Sequence, residues 1–498
     1  MVPGSRHSAA PASPMPPELS AVQALIRNRQ AAHLDRVRQF VRIPSISPEG
    51  RAIAEGAAFV ADSLRLCGCT DVSVTDLGDG FPGVFGALDA GAAQTLLIYS
   101  HYDVRPVGPE PWSEDPFSGS VRSFGGHPAV VMGRGAAAKA PLQAFCNAVG
   151  AIRDAGGPLP VNLVFLIEGA EIVGSPNYPA LVQKHLPALR RATALYGPRV
   201  GQDASGAVSV ILGYKGLICF DLVASGTAWG RGPQATAVHS ATNAVVESPA
   251  WRLVQALAAL HDGRHFLAPG IEAALARQKP LAAWEDEAIA ALAARIDATG
   301  PDAVLPGLAP AAPIKAFRDD LAGRLLLEAY LYGPSFNISG LRSGYTGPGT
   351  RPLTLPEEAR ASIDMRVVCD IPAEELVAML RARLDAQGFA DVAIDLTCAY
   401  DSHQVRPDAL MPGAVLRTLS AAGHRAAIWP MQAFGGPWAH YARAFGIPFL
   451  FGGAPGFGGR AATSDEFFVV DGGGKLAGLE ELELWFAALL CDMAKTTP

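Results

Sequence analysis

The sequence predicts an α/β protein: a discontinuous, mostly parallel catalytic-type sheet with helices on both faces, plus an inserted α+β lid or dimerisation domain. Two apolar runs, Thr95–Ser100 and Val161–Ile167, have the length and continuity of strands buried on both faces. Segments of helical spacing alternate with them, the pattern of parallel strands joined by crossover helices. After Gly213-Tyr214-Lys215-Gly216 the texture changes to alternating strands, and near Val405 the α/β pattern resumes. At 498 residues the chain exceeds one ordinary core, so the change reads as one domain inserted into another.

Residues 1–17, rich in Pro, Ser and Ala, predict a disordered tail and lack the apolar centre of a signal peptide. From Glu18 to Val41 apolar residues recur at helical spacing until Pro44 interrupts, and Ala52–Leu66 predicts a second helix. Strands follow at Val84–Leu88 and Thr95–Ser100, a long helix at Lys139–Ala155, and the strand Val161–Ile167. A helix at Pro179–His185 and strands at Thr193–Tyr196 and Val208–Leu212 complete the first α/β stretch. Leu217–Ala224 and Ala361–Val368 alternate like antiparallel strands, with helices at Ser248–His261 and Ala373–Gln387. Asp262–Leu331 between them is Ala-rich and helical. The last part predicts a helix at Gly413–Ala422, a strand at Arg425–Met431, a helix at Trp438–Phe445 and a strand at Pro448–Phe451. The expected division is therefore a catalytic-type domain of residues 18–215 and 405–498, with a lid or dimerisation domain of residues 216–404.

Nearly half the residues are apolar and 17% are charged, a composition of well-buried globular enzymes. A formal net charge of −7 offers no basic footprint for nucleic acid. No apolar run reaches membrane-spanning length, so no membrane partner is expected and the cytoplasm is the default location. The seven cysteines are scattered, without zinc-finger spacing, and read as thiols of a reducing compartment.

Chemistry is sought first at Ser100-His101-Tyr102-Asp103, where a buried strand ends in an imidazole and a carboxylate two residues apart. Further along come Pro111-Trp112, Asp115-Pro116-Phe117, Gly133-Arg134-Gly135-Ala136, Glu168-Gly169-Ala170-Glu171, Gly174-Ser175-Pro176-Asn177, Leu212-Gly213-Tyr214-Lys215-Gly216, His239-Ser240 and Ser343-Gly344-Tyr345-Thr346-Gly347. This ordered series, from about Arg36 to Val470, resembles the dizinc metallopeptidases of the carnosinase, aminoacylase, desuccinylase and glutamate carboxypeptidase group. The resemblance implies their two-domain fold, a small peptide-like substrate and a homodimer formed through the lid domain.

The same resemblance marks what differs. The group holds two zinc ions with a His, a bridging Asp, a Glu, a second Asp and a second His. Here only His101 is present. Gly133 to Ala140 lacks the Asp-Asp pair, Ile172 stands at the ligand Glu, Pro198-Arg199 replaces a Ser-Asp, and Ala462 stands at the final His. Zinc requires three or four N, S or O donors, which one imidazole does not supply. The sequence therefore predicts no metal and no cofactor. Two Zn²⁺ against three carboxylates leave one formal positive charge, and a single guanidinium, Arg199, restores that surplus; Glu171 or Asp103 is its expected counter-ion. Reaching solvent is the equal alternative for Arg199.

Glu171 matches the group's general base. With His101, Asp103 and Arg199 it forms the expected catalytic set. The resemblance further assigns substrate binding to His239, Asn337 and Arg366; the structural alternatives are a helix cap, a turn residue and a strand-surface residue. Trp438 and His440 follow a Phe434-Gly435-Gly436-Pro437 loop that lacks the group's serine hydroxyl, and are expected to contact a different substrate. Three functions fit. The first is metal-independent chemistry on a peptide-like or acyl-amino-acid-like molecule in specialised biosynthesis: cyclisation, condensation, dehydration or activated-acyl cleavage. The second is a non-catalytic ligand- or partner-binding pseudoenzyme. The third is a hydrolase with one metal on His101, Asp103, Glu171 and Asp465.

Overall fold

The computed structural model describes residues 19–276, 280–306, 308, 314–349 and 353–495. The expected tail, residues 1–17, lies outside them. At the centre is a six-stranded sheet in the order Asp71–Thr75, Gly83–Leu88, Asn162–Glu168, Thr95–His101, Ala194–Gly197 and Phe449–Phe451. The first two pairings are antiparallel and the other three parallel, so the sheet is mixed, with its parallel part where the two apolar runs lie side by side. Alternate residues serve opposite faces. Leu96 and Ile98 join the core beneath the helices Ile53–Cys67, Ala136–Asp154 and Leu479–Ala494, whereas Leu97 and Tyr99 pack under Tyr178–Leu189 and Pro437–Phe445.

A second, four-stranded antiparallel sheet runs Gly458–Gly459, Phe467–Asp471, His127–Met132 and Val121–Phe124. Its hairpin turns on Gly125-Gly126, both at positive φ, a two-residue turn signal the sequence carries. This sheet brings residues 458–466 against Gly133–Gly135, where the Gly133 amide donates to the Glu466 carbonyl at 2.8 Å.

The inserted sheet has the order Ser335–Ser343, Glu358–Val367, Gly216–Ser225 and Ala393–Tyr400, all antiparallel. Burial alternates strictly along Glu358–Val367, and the buried face packs on the helices Pro249–Leu260 and Ala373–Ala386. The two crossings between the domains run side by side at Gly216: a Cβ there would lie 2.7 Å from the Tyr400 carbonyl oxygen and 3.0 Å from the Ser402 amide. The helices Ala283–Thr299 and Gly323–Tyr332, which fall within the expected 216–404 insert, pack elsewhere. Their apolar faces (Ile289, Leu292, Ile296, Leu327, Leu331) close over Trp429 and Met431 of the resumed α/β part, because that is where matching apolar surface stands open.

Lys139, in the helix Ala136–Asp154, is fully buried and donates to the carbonyls of Phe40 at 3.2 Å and Ile43 at 2.6 Å. It thereby closes the carbonyl end of the helix Gln30–Arg42, where a cation meets the negative end of the dipole. Burial nonetheless pulls its ammonium down to about 7. Between that value and the ordinary lysine range the unfolded chain binds the extra proton, so folding stability rises with pH, at most by roughly 1.4 kcal/mol per pH unit. Urea unfolding at pH 7 and pH 9.5 should show wild type gaining on Lys139→Met; a constant gap would contradict the lowered proton affinity of the buried amine.

Candidate active site

His101 ends its strand directly beside Glu168, its parallel register partner. Its Nδ1 faces the Asp103 side chain (Oδ1) and main-chain carbonyl, both at 3.1 Å. Its Nε2 is in hydrogen-bond contact with the Arg199 guanidinium. A guanidinium has no acceptor, so Nε2 accepts and the ring proton sits on Nδ1, donated to Asp103. Asp103 is buried and also accepts from Ser47 Oγ at 2.6 Å, the Ile172 amide at 3.0 Å and the Glu171 amide at 3.3 Å. Burial opposes its charge, yet these donors and His101 hold its carboxyl below the ordinary range. One carboxylate thus fixes both the imidazole and the turn Glu171–Val173.

Before that turn lies buried Glu168, accepting from Tyr99 Oη at 2.6 Å and Ser175 Oγ at 2.9 Å. Burial pushes its carboxyl well above the ordinary value. Glu171 itself keeps 27% of its side chain exposed, with Oε2 3.7 Å from His101 Nε2. Arg199 follows the strand Ala194–Gly197, and its guanidinium lies over the Phe451 ring at 5.3 Å. Among the described residues its one hydrogen-bond partner is His101, its Nε is buried without a partner, and no carboxylate stands within ion-pairing distance. The counter-ion expected in Glu171 or Asp103 is therefore replaced by a neutral imidazole: the Asp103 oxygens are taken by inner donors, and Glu171 acts only at longer range. Burial lowers the guanidinium's proton affinity, and Glu171 opposes the shift.

His101, Asp103, Glu171 and Arg199 line a cleft of about 490 Å³ with Arg105, Arg134, Ala137, Ala138, Ile172, Phe434, Trp438, Phe451, Ala461, Ala462 and Glu466. The peptidase family M20/M25/M40 model matches residues 97–479. The chain belongs to this family. Among M20 relatives, the Cys-Gly metallodipeptidase DUG1 of Candida albicans is 25% identical over 371 residues, 69% of this chain and 70% of that protein. The human Beta-Ala-His dipeptidase is 32% identical over 189 residues, 34% and 36% of the two chains. In fold, an M20 family metallo-carboxypeptidase from Sulfolobus solfataricus superposes with a TM-score of 0.75 at 24% identity, covering 93% of this chain and 99% of that one. The Dug1p dipeptidase of Saccharomyces cerevisiae gives 0.73 at 20%, covering 96% and 99%.

The M20 resemblance assigns metal ligation to the positions of His101, Ile172, Arg199 and Ala462, and all four line this one cleft. They do not fit the family's pair of ions. Alanine and isoleucine offer no donor, Arg199 is a cation, and the lone pair of His101 Nε2 is occupied by that cation. Among the described residues no group of three or more His, Cys, Asp or Glu side chains is placed to hold an ion. Asp465, the substitute ligand of the one-metal reading, turns away and accepts from the amide and hydroxyl of Ser113, both at 2.8 Å.

The expected substrate-binding residues separate. Trp438 lines the cleft, stacked on Phe451 at 4.3 Å. His440 does not: it sits at the domain crossing, its Nδ1 accepting from the Asp401 amide at 3.1 Å. Within one chain His239, Asn337 and Arg366 also lie outside the cleft. His239 is exposed and accepts from the Ala241 amide at 3.2 Å, Asn337 donates to Asp364 at 2.8 Å, and Arg366 stands 3.6 Å from Asp364. Their strands belong to the inserted domain, which turns them from this wall. The sequence reading missed Ser47, Phe434, Phe451 and the buried pair Arg134–Glu466 at 3.1 Å beneath Trp112. A signal existed for Phe451, an aromatic at a strand end before Gly452-Gly453.

Removing the shared acceptor should loosen the whole site. Asp103→Ala leaves the Ser47 hydroxyl and Ile172 amide unsatisfied, an expected loss of about 1–3 kcal/mol in chemical denaturation. A loss within experimental error would contradict the central role of this carboxylate.

Proposed function

We propose that this M20 member is an enzyme repurposed for metal-independent chemistry on a small peptide-like or acyl-amino-acid-like substrate. The observation that supports it most directly is the Arg199 contact on His101 Nε2, which puts a fixed organic cation where the family's ion would bind. Without a metal-lowered water pKa, unactivated amide hydrolysis lacks its nucleophile, and the accessible steps are cyclisation, condensation, dehydration or cleavage of an activated acyl group. Glu171, part-exposed beside the pair, is the group free to move a proton. His101, its lone pair engaged, supports Arg199, and Arg199 stabilises an anionic group of the substrate.

Turnover of a panel of aminoacyl thioesters and N-acyl amino acids, followed by mass spectrometry, should be indifferent to chelator. Glu171→Gln should lower it about 100-fold or more. Activity abolished by chelator and restored by zinc would overturn this reading, as would unchanged turnover of Glu171→Gln.

A ligand-binding pseudoenzyme is the second reading, favoured by the capped Nε2, since binding alone requires no free base. Binding without any conversion across the panel would establish it. A homodimer through the inserted sheet is part of the proposal: Ser335–Ser343 is an edge strand with Ile338 and Leu341 exposed. The resemblance then gives His239 and Asn337 a role across the dimer. Light scattering should report twice the chain mass, and a monomer would remove that role. A cytoplasmic location is also proposed; among the described residues no helix is long and apolar enough to cross a membrane, and Cys67, Cys69, Cys146, Cys219, Cys369 and Cys398 are free thiols.

A further inference from the structure

The charges of the cleft balance in an informative way. The Asp103 carboxylate is hydrogen-bonded from within by a hydroxyl, two amides and the imidazole N–H, and Glu466 is paired with Arg134. What still faces the opening is Arg199, the exposed Arg105 and a single carboxylate, Glu171. At the opening two guanidiniums stand against one carboxylate, and the inner one is short of partners: its Nε is buried and unpaired, and no carboxylate is within ion-pairing distance of it among the described residues. A half-buried guanidinium without an anion is a costly arrangement that a bound anion relieves.

The other lining is apolar. Phe451 is engaged on Trp438 and Arg199 and holds the guanidinium in place. Phe434, in contrast, is 41% exposed and contacts Tyr214 at 5.7 Å between ring centres. Its loop is drawn into the cleft because Gly435 passes against the Lys215 carbonyl so closely that no side chain fits. Ala137, Ala138, Ala461 and Ala462 complete the apolar surface.

We propose that this cleft takes a monocarboxylate carrying a bulky apolar or aromatic group, with its carboxylate on Arg199 and its apolar group against Phe434. This rests on the reading that the cleft is the ligand site, and it inverts the polarity expected of a metal centre: the acid group, not a carbonyl awaiting attack, occupies the former ion position. A bidentate guanidinium contact supplies orientation, and the ring supplies buried area.

Calorimetric titration of the full chain in chelator-treated buffer tests it with N-benzoylglycine, N-acetylglycine, benzamide and inorganic phosphate. N-Benzoylglycine should bind about tenfold or more tighter than N-acetylglycine, with no heat from benzamide. Arg199→Met should weaken N-benzoylglycine about tenfold or more, and Arg199→Lys should retain part of the affinity, each variant first shown to be folded by circular dichroism. Phe434→Ala should weaken N-benzoylglycine and leave N-acetylglycine unchanged. Absence of N-benzoylglycine binding, benzamide binding as well as the acid, phosphate binding in its place, or an Arg199→Met chain of unchanged affinity would each overturn the proposal. None of these readouts depends on turnover, so chelator-sensitive activity would sink the catalytic reading while leaving the binding result to stand or fall separately.

Discussion

The lone pair of His101 Nε2 can be used by a metal ion or by a hydrogen-bond donor, not by both, and in this chain Arg199 uses it. The rest of the cleft is arranged around that contact. Asp103 sets the tautomer by accepting at Nδ1, and the same carboxylate ties down the amides of Glu171 and Ile172. The guanidinium then needs no carboxylate of its own to be held in place, since Phe451 covers it and the imidazole receives its N–H. Where the family resemblance places a metal ligand, this chain has a guanidinium held by an imidazole lone pair and an aromatic face.

An organic cation favours different ligands from a metal pair. A metal pair draws a carbonyl or water into its coordination shell, whereas a desolvated guanidinium selects a planar anion. Ala137, Ala138, Ala461, Ala462 and Ile172 make the surroundings apolar, which strengthens every charge interaction in the cleft. Among the described residues lining the cleft, Glu171 is the part-exposed carboxylate, close to a guanidinium of opposite sign.

Family membership and this altered centre sit together without contradiction. The fold is carried by cores remote from the cleft: the layer between Leu96, Ile98 and the long helices, and the separate core of the inserted sheet. Substitutions at strand ends leave those cores intact, which is why the M20 framework tolerates changes in the cleft. The helices Ala283–Thr299 and Gly323–Tyr332 extend it further, bridging the insert to Trp429 and Met431.

Much of the fold was legible because burial writes itself locally. Leu96–Tyr99 and Leu163–Ile167 are apolar without interruption since both faces of their strands are covered, and Glu358–Val367 alternates since only one is. The edge strand Asp71–Thr75 escaped because its mostly exposed residues carry no such pattern. The sequence also determined which donors are missing, since no packing turns Ala462 or Ile172 into a ligand. Tertiary structure alone decided what replaces them. His101 and Arg199 lie 98 positions apart, and their contact follows from the side-by-side register of two parallel strands. The same holds for His440, which two residues' distance from Trp438 suggested for the cleft, but which the turn of its helix carries to the domain crossing instead. Identity of side chains is a property of the chain; which lone pair meets which proton depends on how distant strands are aligned.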